Sequence, residues 1–176
     1  MVSERNGLLQ VGGKDATILG DDVVVGQAAP EFQAHMLDWQ SVDVLKETAG
    51  KVRILAAMPS IETSVCDRET RRFNEAASAL SDEIVIIPVT MDLPYTQAKW
   101  CGAEGIDRVM MVSDHAEAAF GINYGCLIKE RRILRRAVFV VDKNQKIVYA
   151  EYMPALGDEP DYDAVLASAK AALESS

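Results

Sequence analysis

The stretch "PSIETSVC", Pro59 to Cys66, sets a proline, a threonine and a cysteine at the spacing P-x-x-x-T-x-x-C. It lies between an apolar run, "VRILAAM", and a helical pattern, "DRETRRFNEAASAL". A cysteine in the first turn of a helix meets unpaired backbone N–H groups and the positive end of the helix dipole. Both favour a thiolate over a thiol, and the thiolate is the nucleophile. Pro59 fixes φ where the preceding strand ends. Thr63 stands three residues before Cys66, where its hydroxyl can cap the helix or hydrogen-bond to whatever the sulfur attacks. The competing reading makes Cys66 a small buried core side chain, the usual state of a free cysteine. Position alone leaves both open.

Two further cysteines could take part. Cys101 falls in "YTQAKWCGAEG" and Cys126 in "NYGCLI". Three cysteines are an odd number, too few for a disulfide framework, and no C-x-x-C pair is present. His35 and His115 are far apart in the sequence and suggest neither a zinc site nor the histidine partner of a papain-type cysteine. "VGGKDATILGDD" lacks the G-x-x-x-x-G-K-[ST] spacing of a phosphate loop. Cysteine chemistry here is therefore expected to be catalytic rather than structural.

A net charge of −9 opposes binding to nucleic acid or an anionic membrane, since both repel an acidic surface. The basic run "KERRILRRA" reads as a solvated loop against that background. No apolar run approaches the roughly 18 residues of a membrane helix, and "MVSERNGLLQ" has no secretory h-region. The expected location is cytoplasmic, where thiols are kept reduced.

The elements that must position these residues follow from periodicity. "LLQV", "GG" and "DATIL" read as an N-terminal hairpin, with "GDDVVVG" as a further β piece and "AAPEFQAHML" as an extended segment. "VRILAAM" reads as a buried central strand. Phe73, Ala76, Ala77 and Leu80 share one helical face, and Cys66, seven residues before Phe73, opens the same stripe. Glu69, Arg71, Arg72 and Glu75 fall outside that stripe and are expected in water. "EIVIIPVTM" is the next strand, with Pro88 suggesting an edge position or a bulge. "YTQAKWCGAEG" reads as a short helix stopped by Gly102 and Gly105. "RVMMVSD" is a strand and "HAEAAFGINYG" a short helix. "RRAVFVVDKNQKIVYAEY" is a hairpin turning at "DKNQ", and "EPDYDAVLASAKAAL" is a closing helix. The pattern predicts one α/β domain over residues 1–176, a mixed β-sheet flanked by helices, with residues 1–26 as an N-terminal hairpin extension.

The spacing Pro59, Thr63, Cys66 resembles the peroxidatic motif of the peroxiredoxins. "MDLPYTQAKWCGAEG" is similar to the segment that carries the resolving cysteine in their thiol peroxidase subfamily, the atypical two-cysteine peroxiredoxins. "RRAVFVVD", the closing helix and the N-terminal hairpin are also similar to that subfamily, so the resemblance covers nearly the whole chain. It implies a thioredoxin-like fold and a peroxidase for hydrogen peroxide and alkyl hydroperoxides, without metal or organic cofactor. Under it Cys66 matches the peroxidatic cysteine, and Cys101 matches the resolving cysteine that forms an intramolecular disulfide with it. Thr63 matches the hydroxyl that orients the peroxide, and Arg136 the arginine that holds the thiolate. Thioredoxin as reductant and a homodimer are implied in the same way. Ser64 and Glu62 depart from the subfamily's usual glycine and aspartate, and Cys126 stands where an aliphatic residue is usual.

Arg135 adjoins Arg136. In an extended segment Arg136, Val138 and Val140 share one face, while Arg135, Ala137 and Phe139 share the other, so only one of the two arginines can point into the site. Arg136 is the expected one. Cys126 is read as a core side chain rather than an alternative resolving thiol. A redox sensor that hands the disulfide to a partner would use the same cysteine pair as a peroxidase. A module with inert cysteines would need none of Pro59, Thr63 and Arg136.

Overall fold

A computed structural model describes residues 1–175. Ser176, the last residue of the expected domain, lies outside the described residues. A seven-stranded mixed sheet runs, from one edge, through Ile147–Tyr152, Ala137–Val141, Val52–Ala57, Ile84–Thr90, Val112–Ser113, Gln33–His35 and Ser41–Asp43. Val52–Ala57 and Ile84–Thr90 pair in parallel, and Val112–Ser113 continues parallel to the latter. The other neighbours are antiparallel. Every residue of Val52–Ala57 is buried, because the strand is covered on both faces.

Alternation sorts each strand between two cores. Ile54, Ala56, Ile86, Val138 and Val140 pack with Phe73 of helix Ser64–Ala77 and with Val165 and Ala169 of helix Tyr162–Glu174. Leu55, Ala57, Ile87, Phe139 and Val141 face the opposite way, toward Phe32, Leu45, Phe120 and Tyr124. Asp161 caps the closing helix by accepting from the Ala164 amide at 3.0 Å. The Ala137–Val141 and Ile147–Tyr152 strands form the late hairpin around the "DKNQ" turn. Near the N-terminus, Gln10–Val11 and Lys14–Asp15 pair across Gly12 and Gly13, and both glycines have positive φ. Among the described residues no helix is long and apolar enough to cross a membrane.

Four expectations are corrected. "GDDVVVG" forms no strand; its ends are tied by isolated backbone bonds, Gly20 donating to the Ser3 carbonyl and Gly26 to the Ile147 carbonyl, and Tyr152 Oη accepts from the Val23 amide at 2.9 Å. The strand within "RVMMVSD" is only Val112–Ser113. Pro88 occupies an interior strand, not an edge. The Ile86 and Thr90 carbonyls accept from Met110 and Asp114, so even-numbered residues of that strand point their polar groups at residues 109–114. Pro88's missing N–H therefore faces residues just ahead of the short Val112–Ser113 ladder, where no strand pairing is lost. Gly102 does not stop its helix, which runs Pro94–Glu104. Only Gly105, at φ 67 and with its amide donating to the Cys101 carbonyl, ends it.

Candidate active site

The chain leaves strand Val52–Ala57, passes Pro59 and enters helix Ser64–Ala77 at Thr63. Thr63 is the N-cap: its Oγ1 accepts from the Cys66 amide at 3.3 Å and donates to the Ser60 carbonyl at 3.1 Å. The loop before it is pinned from the next strand–helix connection. Asp92 accepts from the Ser60 hydroxyl at 2.9 Å and from the Ile61 amide at 2.8 Å. Cys66 thus sits in the first helical turn with its sulfur fully buried.

Arg136 meets it from the end of the Ala137–Val141 strand. Its guanidinium is shared three ways: Nη2 to Cys66 Sγ at 3.3 Å, Nη1 to Glu69 Oε2 at 2.6 Å, and Nε to the Leu156 carbonyl at 3.0 Å. Burial opposes the charge on Arg136, but the Cys66 sulfur and the Glu69 carboxylate outweigh it and hold its pKa above the ordinary value. Arg135 lies on the other face, as the packing of Ala137 and Phe139 requires. There it contacts Asp22 at 3.3 Å and lies 4.6 Å from the centre of the Tyr152 ring. Pro59, Thr63, Val65, Ile133, Arg136 and Leu156 line an open, mainly apolar pocket over this group.

Glu69 corrects the expectation that it lies in water. It is fully buried and ion-paired to Arg136, with its second oxygen, Oε1, unpartnered. Burial pushes its carboxyl up to about 7, against the downward pull of Arg136. The signal that could have found it is positional. Cys66, Glu69, Thr70 and Phe73 fall at i, i+3, i+4 and i+7, all buried. A carboxylate on a buried stripe requires a cation, and the late strand supplies one.

Cys101 lies near the end of helix Pro94–Glu104 and does not touch Cys66's partners. It packs with Ile61, Ile106 and Met111, its sulfur 3.7 Å from Met111 Sδ, and burial raises its pKa. Cys126 is buried in the opposite core, its sulfur 3.5 Å from the Tyr124 carbonyl oxygen, and burial likewise pushes its thiol up. All three cysteines are free thiols. His35 and His115, distant in the sequence, lie against each other in a tilted pair with ring centres 5.0 Å apart, among Trp39 and Tyr95.

A buried sulfur held between a helix N-terminus and a guanidinium, beneath an apolar pocket, is placed to be presented to an electrophilic oxygen. Comparison with known proteins points the same way. The Redoxin family pattern matches residues 24–166. A thiol peroxidase of Oceanobacillus iheyensis is 49% identical over 150 residues, covering 85% of this chain and 90% of the relative. One from Bacillus subtilis is 45% identical over 161 residues, covering 90% and 94%. Among solved structures, a peroxiredoxin-like protein from Aquifex aeolicus superposes with a TM-score of 0.83 at 31% identity, over 97% of this chain and 98% of that one. A thiol peroxidase from Chromobacterium violaceum shares the fold, with a TM-score of 0.81 at 20% identity over 96% and 98%. With identity of this order sustained over most of its length, the chain belongs to the redoxin family, in the thiol peroxidase branch of the peroxiredoxins.

Proposed function

We propose that this peroxidase reduces hydrogen peroxide and alkyl hydroperoxides at Cys66 and resolves the product with Cys101. The Cys66 thiolate attacks the distal peroxide oxygen, the O–O bond breaks, and the alkoxide or hydroxide leaves as alcohol or water after taking a proton. Cys66 is left as a sulfenic acid, the first rung of the oxidation ladder. The single observation that carries this reading is the contact of Arg136 with the Cys66 sulfur at 3.3 Å. The same guanidinium stays charged throughout and is placed to stabilise both the thiolate and the charge developing on the departing oxygen. Thr63 Oγ1, at the pocket wall, is the hydroxyl that orients the peroxide. Pro59 shapes the other side. Val65, Ile133 and Leu156 offer apolar surface to an alkyl group.

Cys101 then attacks the Cys66 sulfenic sulfur. An S–S bond forms, the S–O bond breaks and water leaves. A disulfide requires Cα atoms about 4.4–6.8 Å apart with converging Cβ vectors. Cys66 opens one helix and Cys101 sits near the end of another, each with its own packing partners. Local unwinding must therefore bring them together. Thioredoxin is the proposed reductant, and the protein acts in the cytoplasm as a homodimer. Coupling thioredoxin, its reductase and NADPH to peroxide consumption tests the reading. Sustained NADPH oxidation is expected. Oxidation of Cys66 by one equivalent of peroxide without turnover would instead favour a redox sensor.

A further inference from the structure

Resting on that redox reading, we infer that Arg71 is a positioning residue that latches the two cysteine-bearing helices together and sets the rate at which Cys101 reaches Cys66. Arg71 lies on helix Ser64–Ala77 and reaches carboxylates that flank both cysteines. Its Nε contacts Asp67, next to Cys66, at 3.1 Å, and its Nη2 pairs with Glu104, three residues beyond Cys101. Its guanidinium also lies 5.9 Å from the centre of the ring of Trp100, the residue before Cys101. Both carboxylates raise the Arg71 pKa, Glu104 through its hydrogen bond most strongly.

The helix that bears Cys101 is held unevenly. Its first turns are anchored by the fully buried Gln97, whose Nε2 donates to Thr90 Oγ1 and to the Val112 carbonyl, both at 3.0 Å. Beyond Gln97 come Trp100, Cys101, Gly102 and Glu104, then Gly105 in the left-handed conformation. Glycine within a helix weakens it, and here the charged contact to the neighbouring helix runs through Arg71. The segment therefore opens from its C-terminal end, with Gln97 as the fixed point and Arg71 as the contact that must release. The chemistry of resolution is unchanged: the Cys101 sulfur bonds the Cys66 sulfur and the sulfenic oxygen leaves as water. The latch governs only how often the two meet. An exposed pair of this kind is weak and screened by salt, which suits a contact that must break in every cycle.

Stopped-flow tryptophan fluorescence, with Trp100 beside Cys101, separates a peroxide-dependent phase from the peroxide-independent formation of the disulfide. Arg71→Ala is expected to speed the second phase about threefold and leave the first unchanged. Glu104→Gln should do the same, and the two together should add little. High salt should speed the second phase of the wild type but not of Arg71→Ala. Arg72→Ala, on the same helix but facing Tyr162 and Asp163, should change neither phase. An unchanged or slower second phase in both Arg71→Ala and Glu104→Gln overturns the latch, as does a parallel change in both phases. If peptide mapping of the oxidised wild type finds no Cys66–Cys101 bridge, the redox reading itself fails. If the bridge is present and the variants are silent, only the latch fails.

Discussion

Replacing Glu69 with glutamine should stabilise the reduced protein at pH 8 and do so much less at pH 5. The carboxyl is pushed from 4.5 to about 7 by burial, a cost that its ion pair with Arg136 only partly offsets. A raised carboxyl pKa favours the folded state below the unfolded value, and that contribution is lost as pH rises through the folded value. The window is therefore about pH 4.5 to 7. At about 1.4 kcal/mol for each tenfold change, the ionised form costs the fold about 3 kcal/mol in all, roughly a quarter of it already incurred at pH 5. Glutamine keeps an acceptor for Arg136 Nη1 and never ionises. Urea unfolding of reduced wild type and Glu69→Gln at pH 5 and pH 8 should show the difference in stability shifting by about 2 kcal/mol in the variant's favour. Asp114, also pushed up by burial, to about 6, titrates in both proteins and cancels. Parallel pH profiles for the two proteins, or a variant less stable at pH 8 than at pH 5 relative to wild type, would refute the assignment of a buried, costly carboxylate.

Cys66→Ser should abolish peroxide consumption, because a hydroxyl cannot replace the thiolate; retained turnover in the coupled assay would remove Cys66 from its role. Cys101→Ser should consume one equivalent and stall as a sulfenic acid that over-oxidises with excess peroxide, visible by mass spectrometry; normal cycling would show another resolving thiol. Arg136→Ala should slow the reaction with peroxide by tenfold or more, in line with the roughly 1.5–3 kcal/mol carried by a charge-assisted contact. Arg135→Ala should instead lower the midpoint of unfolding, since it removes the Asp22 and Tyr152 contacts and not a contact to the sulfur. The reverse order in second-order rate constants would place Arg135, not Arg136, against the sulfur.

What could be read directly from the chain was local or periodic. Thr63 and Cys66 are three residues apart, so the cap and the first helical turn follow from their spacing. Alternation along residues 135–140 places Arg136 on the face of Val138 and Val140, which is the face that packs against the helix of Cys66. Glu69 is not legible locally, because charge on an amphipathic helix ordinarily lies in water. Its partner is 67 positions away, and nothing local announces it. The support that Asp92 gives to the loop before Thr63 spans about thirty residues for the same reason. The interior place of Pro88 is not legible either, because its tolerance depends on how short the neighbouring strand is, a property of the sheet and not of the segment. Gly102 does not act as a stop, since a single glycine weakens a helix without ending it; the left-handed Gly105 ends it instead.

The central claim is that Cys66 and Cys101, held apart by separate partners in the reduced protein, become bonded within one chain after a single oxidation. Treating reduced protein with one equivalent of hydrogen peroxide, trapping free thiols and mapping the peptides under non-reducing conditions tests it most directly. A Cys66–Cys101 bridge with Cys126 recovered as a trapped thiol is the predicted result; a bridge to Cys126, a bridge between chains or three trapped thiols would contradict it.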